Sequence, residues 1–333
     1  MPRELINAAG EAEGDRRSAR WNLVEALVVF GALELSIWGL VAGLGMARGS
    51  RAWLFTGHAA LGLCLLYIVA LSPWVHGDTA HSWGLPRRGA LRQRLGDTRL
   101  RAPTLGMLTV LGCAVTLAVW QGWPNLLARL GVRRHFRAAF DWLTLTTSGS
   151  ALGGALGALV LLRAAVWAVR WDNLDRSLRA LAPLALGLWL SVPALAVLYA
   201  LATGDWSRLR APRWLEIHPD RTSVIFYLLW GFVQQGLFLG YFNARFRRAI
   251  APRRRGLLPS RALAALLTGL VFGAVHLPNL PLVGLGAVEG ALLAWAFQSD
   301  ATRNLFVAAV IHAVAGTLFS ALLPVSMEIG PWE

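Results

Sequence analysis

The chain has 333 residues, 56% of them hydrophobic and only 15% charged, with a mean hydropathy of +0.51; that balance excludes an ordinary soluble globular domain and points to a polytopic membrane protein. The formal net charge of +14 comes from arginine alone, since no lysine occurs. In a soluble chain such an excess would suggest nucleic acid. Here the arginines fall mainly between apolar runs, with no basic stripe of interleaved aromatics, so the expected partner is the lipid bilayer with its acidic headgroups, and no nucleic acid.

Taken in order, residues 1–21 mix Glu4, Glu11, Glu13 and Asp15 with Arg16, Arg17 and Arg20. They are too polar for a cleavable signal peptide and read as a short cytoplasmic tail. Runs approaching the roughly 20 residues that cross about 30 Å of hydrocarbon follow at 23–46, 53–74, 104–123, 151–169, 181–203, 222–243, 260–277, 281–298 and 304–324. The expected fold class is therefore all-α, a polytopic integral membrane helical bundle of about eight or nine transmembrane helices. Transmembrane helices over 22–203 precede a functional core over 222–325. With nine spans, the arginine-rich loops 75–103 and 244–261 fall on the side of the N-terminal tail. The positive-inside rule makes that side the cytoplasm, as in a bacterial inner membrane. The exception is Arg129, Arg133, Arg134 and Arg137, in an amphipathic stretch over 125–143 that suits a membrane surface. Tryptophans near segment ends, such as Trp21, Trp53, Trp74 and Trp206, fit interfacial belts. Glycine-rich faces at 153–160 and 284–290 permit close helix packing. Cys64 and Cys113 lie in apolar runs and suit core packing, and no ligand spacing for zinc is present.

The chemistry is expected in a polar layer within the last third. Gln234 and Gln235 sit side by side in WGFVQQGLFLGYF, His276 ends LVFGAVH, Glu289 interrupts GLGAVEGALL, and His312 lies in LFVAAVIHAV. At 1.5 Å per helical residue, Gln235 and His312 lie roughly 15 and 12 Å in from one face, His276 roughly 18–24 Å from it, and Glu289 roughly 12 Å from the other. Polar groups at such depth are costly and most simply face one interior site. His58, His76, His81, His135 and His218 fall near segment ends and read as surface groups. Glu25 and Glu34, nine residues apart, lie roughly 13 Å apart along a helix, too far for a carboxylate dyad; pairing with neighbouring helices or an interfacial arginine is the expected role. Thr268 and Thr317 are expected to bond back within their own helices.

The order of these motifs resembles the CPBP family of CAAX-protease and bacteriocin-processing intramembrane proteases, also called the Abi family. Phe272-Gly-Ala-Val-His276, continuing to Asn279, is similar to that family's Phe-x-x-x-His motif. His312-Ala-Val-Ala-Gly316 resembles its His-x-x-x-Asn/Asp motif, with glycine in the last place. QQGLFLGYF matches the frame of an EELLFRGYF-like first motif, so Gln234 and Gln235 stand at the glutamate positions and Leu239 at the arginine position. The resemblance covers about the last third of the chain. It implies an intramembrane endopeptidase in which a glutamate activates water while His and Asn hold the water and the oxyanion.

An amide cannot accept the proton that a general base must take. Loss of the cation at Leu239 agrees with loss of the carboxylate it would pair with. On this reading His276 and His312 orient water and oxyanion, Gln234, Gln235, Phe272 and Asn279 form the substrate- or water-binding wall, and Glu289 is the candidate base. No cofactor is required, although His276, His312 and Glu289 are the three groups that could share a metal. The expected partner is a membrane-embedded peptide or lipidated protein. Two other readings stay open: a catalytically inactive relative that binds membrane peptides or scaffolds a partner, and a proton-coupled small-solute transporter using Glu25, Glu34 and Glu289.

Overall fold

The computed structural model describes residues 2–86, 89–109, 112, 141, 147–210, 230–250 and 259–323. Its principal helices are α1 (Pro2–Glu34), α2 (Arg51–Leu66), α3 (Ser72–His76), α4 (Ala90–Gly96), α5 (Thr147–Ala168), α6 (Leu174–Thr203), α7 (Asn243–Ile250), α8 (Ser260–Ala274), α9 (Leu280–Phe297) and α10 (Leu305–Leu322). Three π-helical stretches, Leu35–Met46, Tyr67–Leu71 and Gly236–Phe242, continue α1, join α2 to α3, and lead into α7. Among the described residues there is no strand.

Six described helices are long and apolar enough to cross a membrane: Ser18–Gly45, Arg51–His76, Ala151–Ala168, Leu174–Thr203, Leu280–Phe297 and Leu305–Leu322. They match six of the expected spans, and the molecule is an all-α polytopic membrane protein. The expected span at 104–123 lies largely outside the described residues, and that at 222–243 is described from Trp230 onward, where it is helical; the stretch 125–143 apart from Asp141 also lies outside, as do Cys113, His135 and His218. The seventh expected span is a shorter helix, α8, of 15 residues; it stops at Ala274, so His276 stands just past a helix end rather than inside a helix. The segment expected as an N-terminal tail is helical, being the first part of α1. Large apolar side chains such as Phe55, Leu63, Val69, Val160, Leu190 and Leu270 stand exposed along these helices. In water such a surface would aggregate, whereas lipid tails cover it.

The chain divides into two compact units. The first joins Met1–Trp83 to Gln234–Arg303. Its centre is the α8–α9 hairpin, which two glycines bring into backbone contact. A Cβ added at Gly269 would lie 2.3 Å from the Ala287 carbonyl oxygen, and one at Gly273 would lie 2.4 Å from that of Val283. Any side chain there must push the helices apart. Gly273→Ala is therefore expected to destabilise the protein by about 1–3 kcal/mol. Gly154→Ala, where nothing among the described residues lies within 4 Å, should be neutral or slightly stabilising because alanine favours the helix. Thermal unfolding of both variants in detergent checks this, and equal midpoints would refute it. Among the described residues, then, Gly154 makes no close packing contact of the kind expected of the 153–160 face.

The second unit joins Gly84–Val233 to Asn304–Val325. Asn304 accepts from the Val307 N–H at 3.4 Å and so caps α10, while its amide donates to the Arg170 carbonyl at 3.0 Å and to Asn173 Oδ1 at 3.1 Å. Arg94 is clamped by the Trp171 carbonyl at 2.7 Å and by Asp175 at 2.8 Å. Trp189 Nε1 donates to the Ile311 carbonyl at 3.1 Å, tying α6 to α10. Thr268 and Thr317 bond back to Ala264 and Ala313 within their own helices, as expected. Cys64 is half-buried rather than a core residue.

Candidate active site

His276 is held by its own chain. Its backbone N–H closes a tight turn onto the Gly273 carbonyl at 2.9 Å, and its ring Nδ1 lies 3.0 Å from the Phe272 carbonyl oxygen. A carbonyl only accepts, so Nδ1 carries a proton, and in the neutral ring the lone pair is on Nε2. The ring stands edge-on to Phe272 at 5.4 Å and rests over Gly286 of α9, where an added Cβ would come within 3.3 Å of Nδ1. With 5% of its surface exposed, His276 is a buried imidazole of fixed tautomer and orientation.

Phe272 is the pivot of this arrangement. It lies against Gly290 of α9 and meets Phe238 at 4.8 Å in a T-shaped contact. Phe238 continues a ladder through Phe242 to Phe246, with centroid separations of 5.7 and 6.1 Å. The Phe-x-x-x-His spacing thus has a physical reading: one helical turn puts the phenylalanine carbonyl under the imidazole and its ring beside it. Asn279 accepts from the Leu282 N–H at 3.2 Å and caps α9. Its Oδ1 is committed to the helix, and its amide N–H groups are what it can offer a ligand.

Glu289 is 8% exposed and lies on the buried face of α9 that also carries Gly286 and Gly290, the two glycines facing His276 and Phe272. The same hairpin therefore positions the imidazole and the carboxylate. Gln234 and Gln235 are both buried, immediately before the π-helical Gly236–Phe242. A π turn widens the helix and re-aims side chains, and such turns often sit at functional sites. Gln235, 1% exposed, keeps its amide Nε2 without a hydrogen-bond partner among the described residues. An unmet buried donor costs about 1–3 kcal/mol, a penalty that a bound acceptor would remove.

His312 belongs to the second unit, on α10, where it is buried and its ring would come within 3.3 Å of a Cβ added at Gly231. Of the sequence-predicted residues, then, the first unit holds Gln234, Gln235, Phe272, His276, Asn279 and Glu289. Among the described residues no group of three His, Cys, Asp or Glu side chains could hold a metal ion.

A second polar cluster in the first unit was only partly visible in the sequence. Glu25 accepts from Ser72 at 2.5 Å, from Tyr241 at 3.1 Å and from Arg245 at 3.3 Å, and its other oxygen lies 2.5 Å from His76 Nε2. Arg245, with none of its surface exposed, also reaches Ser72 at 2.6 Å and Asp78 at 2.9 Å. Arg248 binds the other oxygen of Asp78. The pairing expected for Glu25 is an ion pair with Arg245. His76 is not the surface group its position suggested: its side chain is 11% exposed and serves this network. The signal for this was present in the sequence, since a carboxylate at the edge of an apolar run needs a partner and Arg245 directly follows another such run.

Residues 221–318 match the family described as type II CAAX prenyl endopeptidase, Rce1-like, over just under a third of the chain. No curated protein and no solved structure matches it. The matched segment contains Gln234, Gln235, Phe272, His276, Asn279, Glu289 and His312, and over it this membrane protein is of the CAAX-protease type, consistent with the CPBP family.

Proposed function

We propose that the protein is an intramembrane endopeptidase-like protein that takes membrane-anchored or C-terminal peptide segments, with Glu289 in the role of the carboxylate missing from positions 234 and 235. The observation that carries this reading is the α8–α9 hairpin. It fixes a buried His276 with its Nε2 lone pair set by the Nδ1 hydrogen bond, and it buries a glutamate on the helix face that packs against that imidazole. Glu289 would take a proton from water as the water attacks the peptide carbonyl. His276 would accept a hydrogen bond from that water at Nε2 and so hold it in place. The buried amide of Gln235 would donate to a backbone carbonyl of an extended substrate. The part of His312 rests on the family resemblance alone. The arginine bias of the loops supports a bacterial inner membrane with the N-terminus in the cytoplasm.

A second reading, a silent relative that binds membrane peptides without cutting them, is supported by Gln234 and Gln235 at the glutamate positions. Glu289→Gln separates the two, because the amide keeps the size of the side chain and cannot accept a proton. Measured together in liposomes, cleavage is expected to fall at least about a hundredfold while peptide binding is retained. Undiminished cleavage would remove Glu289 as the base. Binding without cleavage by the wild-type protein would establish the silent reading.

A further inference from the structure

Away from His276 and Glu289, the first unit holds a cavity of roughly 370 Å³ walled by Arg247, Arg248, Arg261 and Arg303 with the hydroxyl-bearing Ser82 and Ser260. Its size falls within the span of about 300–1,000 Å³ usual for small-molecule sites. Four guanidinium groups around one cavity repel each other unless something negative lies between them.

The neighbouring carboxylates do not balance them. Asp78 is shared between Arg248 and the buried Arg245. Asp300, largely exposed, meets Arg303 at 3.9 Å and is shared with His81 at 3.3 Å. Arg247 and Arg261 have no carboxylate within 4 Å among the described residues. Desolvation in the cavity wall, and then the like charges of Arg303, Arg261 and Arg248, hold the Arg247 guanidinium below its ordinary value, although much of its surface remains accessible.

The wall is built rather than incidental. The Arg261 guanidinium lies over the Trp295 ring at 5.6 Å. Its backbone carbonyl accepts from Gln298 at 2.9 Å, and Gln298 also donates to the buried Asn243 at 3.3 Å. Arg303 donates to the carbonyls of Phe297 and Gln298 at 3.3 and 3.1 Å, at the C-terminal end of α9. Only Arg247 and Arg261 are left to turn toward a ligand.

The level of the cavity says what that ligand is. α8 begins at Ser260 and its antiparallel partner α9 ends at Phe297, so the cavity lies at the end of a membrane-embedded hairpin. Trp295 beside it is 46% exposed, as expected of an aromatic residue at headgroup depth. Phosphates concentrate at that depth, and guanidinium groups match them with paired N–H donors.

We propose that this cavity binds the phosphate of an anionic phospholipid headgroup, with Arg247 and Arg261 as the groups that hold it. A free phosphate ion has the same chemistry, and the two sources are separable.

The test is native mass spectrometry of the full chain in detergent, titrated with phosphatidylglycerol or phosphatidylcholine. The variants are Arg247→Gln/Arg261→Gln, the single Arg247→Gln in case the double variant unfolds, and Arg51→Gln as an exposed-arginine control. Phosphatidylglycerol is expected to stay bound at least about tenfold more tightly than phosphatidylcholine, and removing both arginines should weaken it by about tenfold or more. Arg247→Gln alone should weaken it by several-fold, and Arg51→Gln should leave it unchanged. Inorganic phosphate at the lipid's concentration should not displace it. Equal retention of the two lipids, an undiminished adduct in the cavity variants, the same loss in Arg51→Gln, or ready displacement by inorganic phosphate would each overturn the assignment.

Discussion

Arg245→Met is expected to be the most destabilising single substitution in the first unit, at about 3–5 kcal/mol. The guanidinium is fully buried and reaches Glu25, Ser72 and Asp78 at once. Removing it leaves Glu25 with His76, Ser72 and tyrosine hydroxyls but no arginine, and leaves Asp78 to Arg248. The cost is that of a buried charge without its counter-ion, which exceeds what the pair contributes over an apolar replacement. Glu25→Gln/Arg245→Met should therefore recover much of the loss, because both charges leave together. Arg247→Met, on the same helix but exposed, should change stability by no more than about 0.5 kcal/mol. Unfolding midpoints of the three variants in a denaturing detergent series check the order. A midpoint for Arg245→Met equal to that of Arg247→Met would contradict the role given to this network.

His276→Ala is expected to carry the largest effect on turnover, a fall in kcat of about 10²–10³. The imidazole is placed by the Phe272 carbonyl and the glycine surface of α9, and alanine offers no acceptor to the attacking water. Little change in KM is expected, since the group acts on the reacting atoms rather than on the bulk of the substrate. A matching rise in KM with kcat intact would instead make His276 a substrate-binding residue. Phe272→Leu bears on the same point. It removes the edge contact to the imidazole but keeps the backbone carbonyl that fixes the tautomer, so it should cost less than His276→Ala.

Much of this was legible in the chain because membranes impose few rules and apply them everywhere. Backbone groups in hydrocarbon must bond within the segment, so long apolar runs are helices, and six expected spans are present as such. Glu25 could be read as needing a partner because a charge within a membrane span, even near its end, is rarely left unpaired. The Phe-x-x-x-His motif could be placed because its spacing is one helical turn. Three-dimensional neighbours were harder. That His76 would meet Glu25, or that Arg261 would stack over Trp295, depends on helix rotation and on where a helix ends, which hydropathy does not encode. The shortness of α8 escaped for the same reason: the apolar run continues through Val275, but the chain turns at His276 and cap geometry ends the helix. That Asn279 also caps α9 through its bond to the Leu282 N–H was not legible either, because it depends on where α9 begins.

The measurement that bears most directly on this account is hydrolysis by the purified protein in liposomes, in ¹⁸O-labelled water, against a library of membrane-anchored C-terminal peptides. Mass spectrometry would read both the cut site and the label. The account predicts products cut at a defined position, with ¹⁸O in the new carboxyl group and with turnover lost in His276→Ala and Glu289→Gln. No labelled product from any peptide, with peptides still bound by the protein, would contradict it.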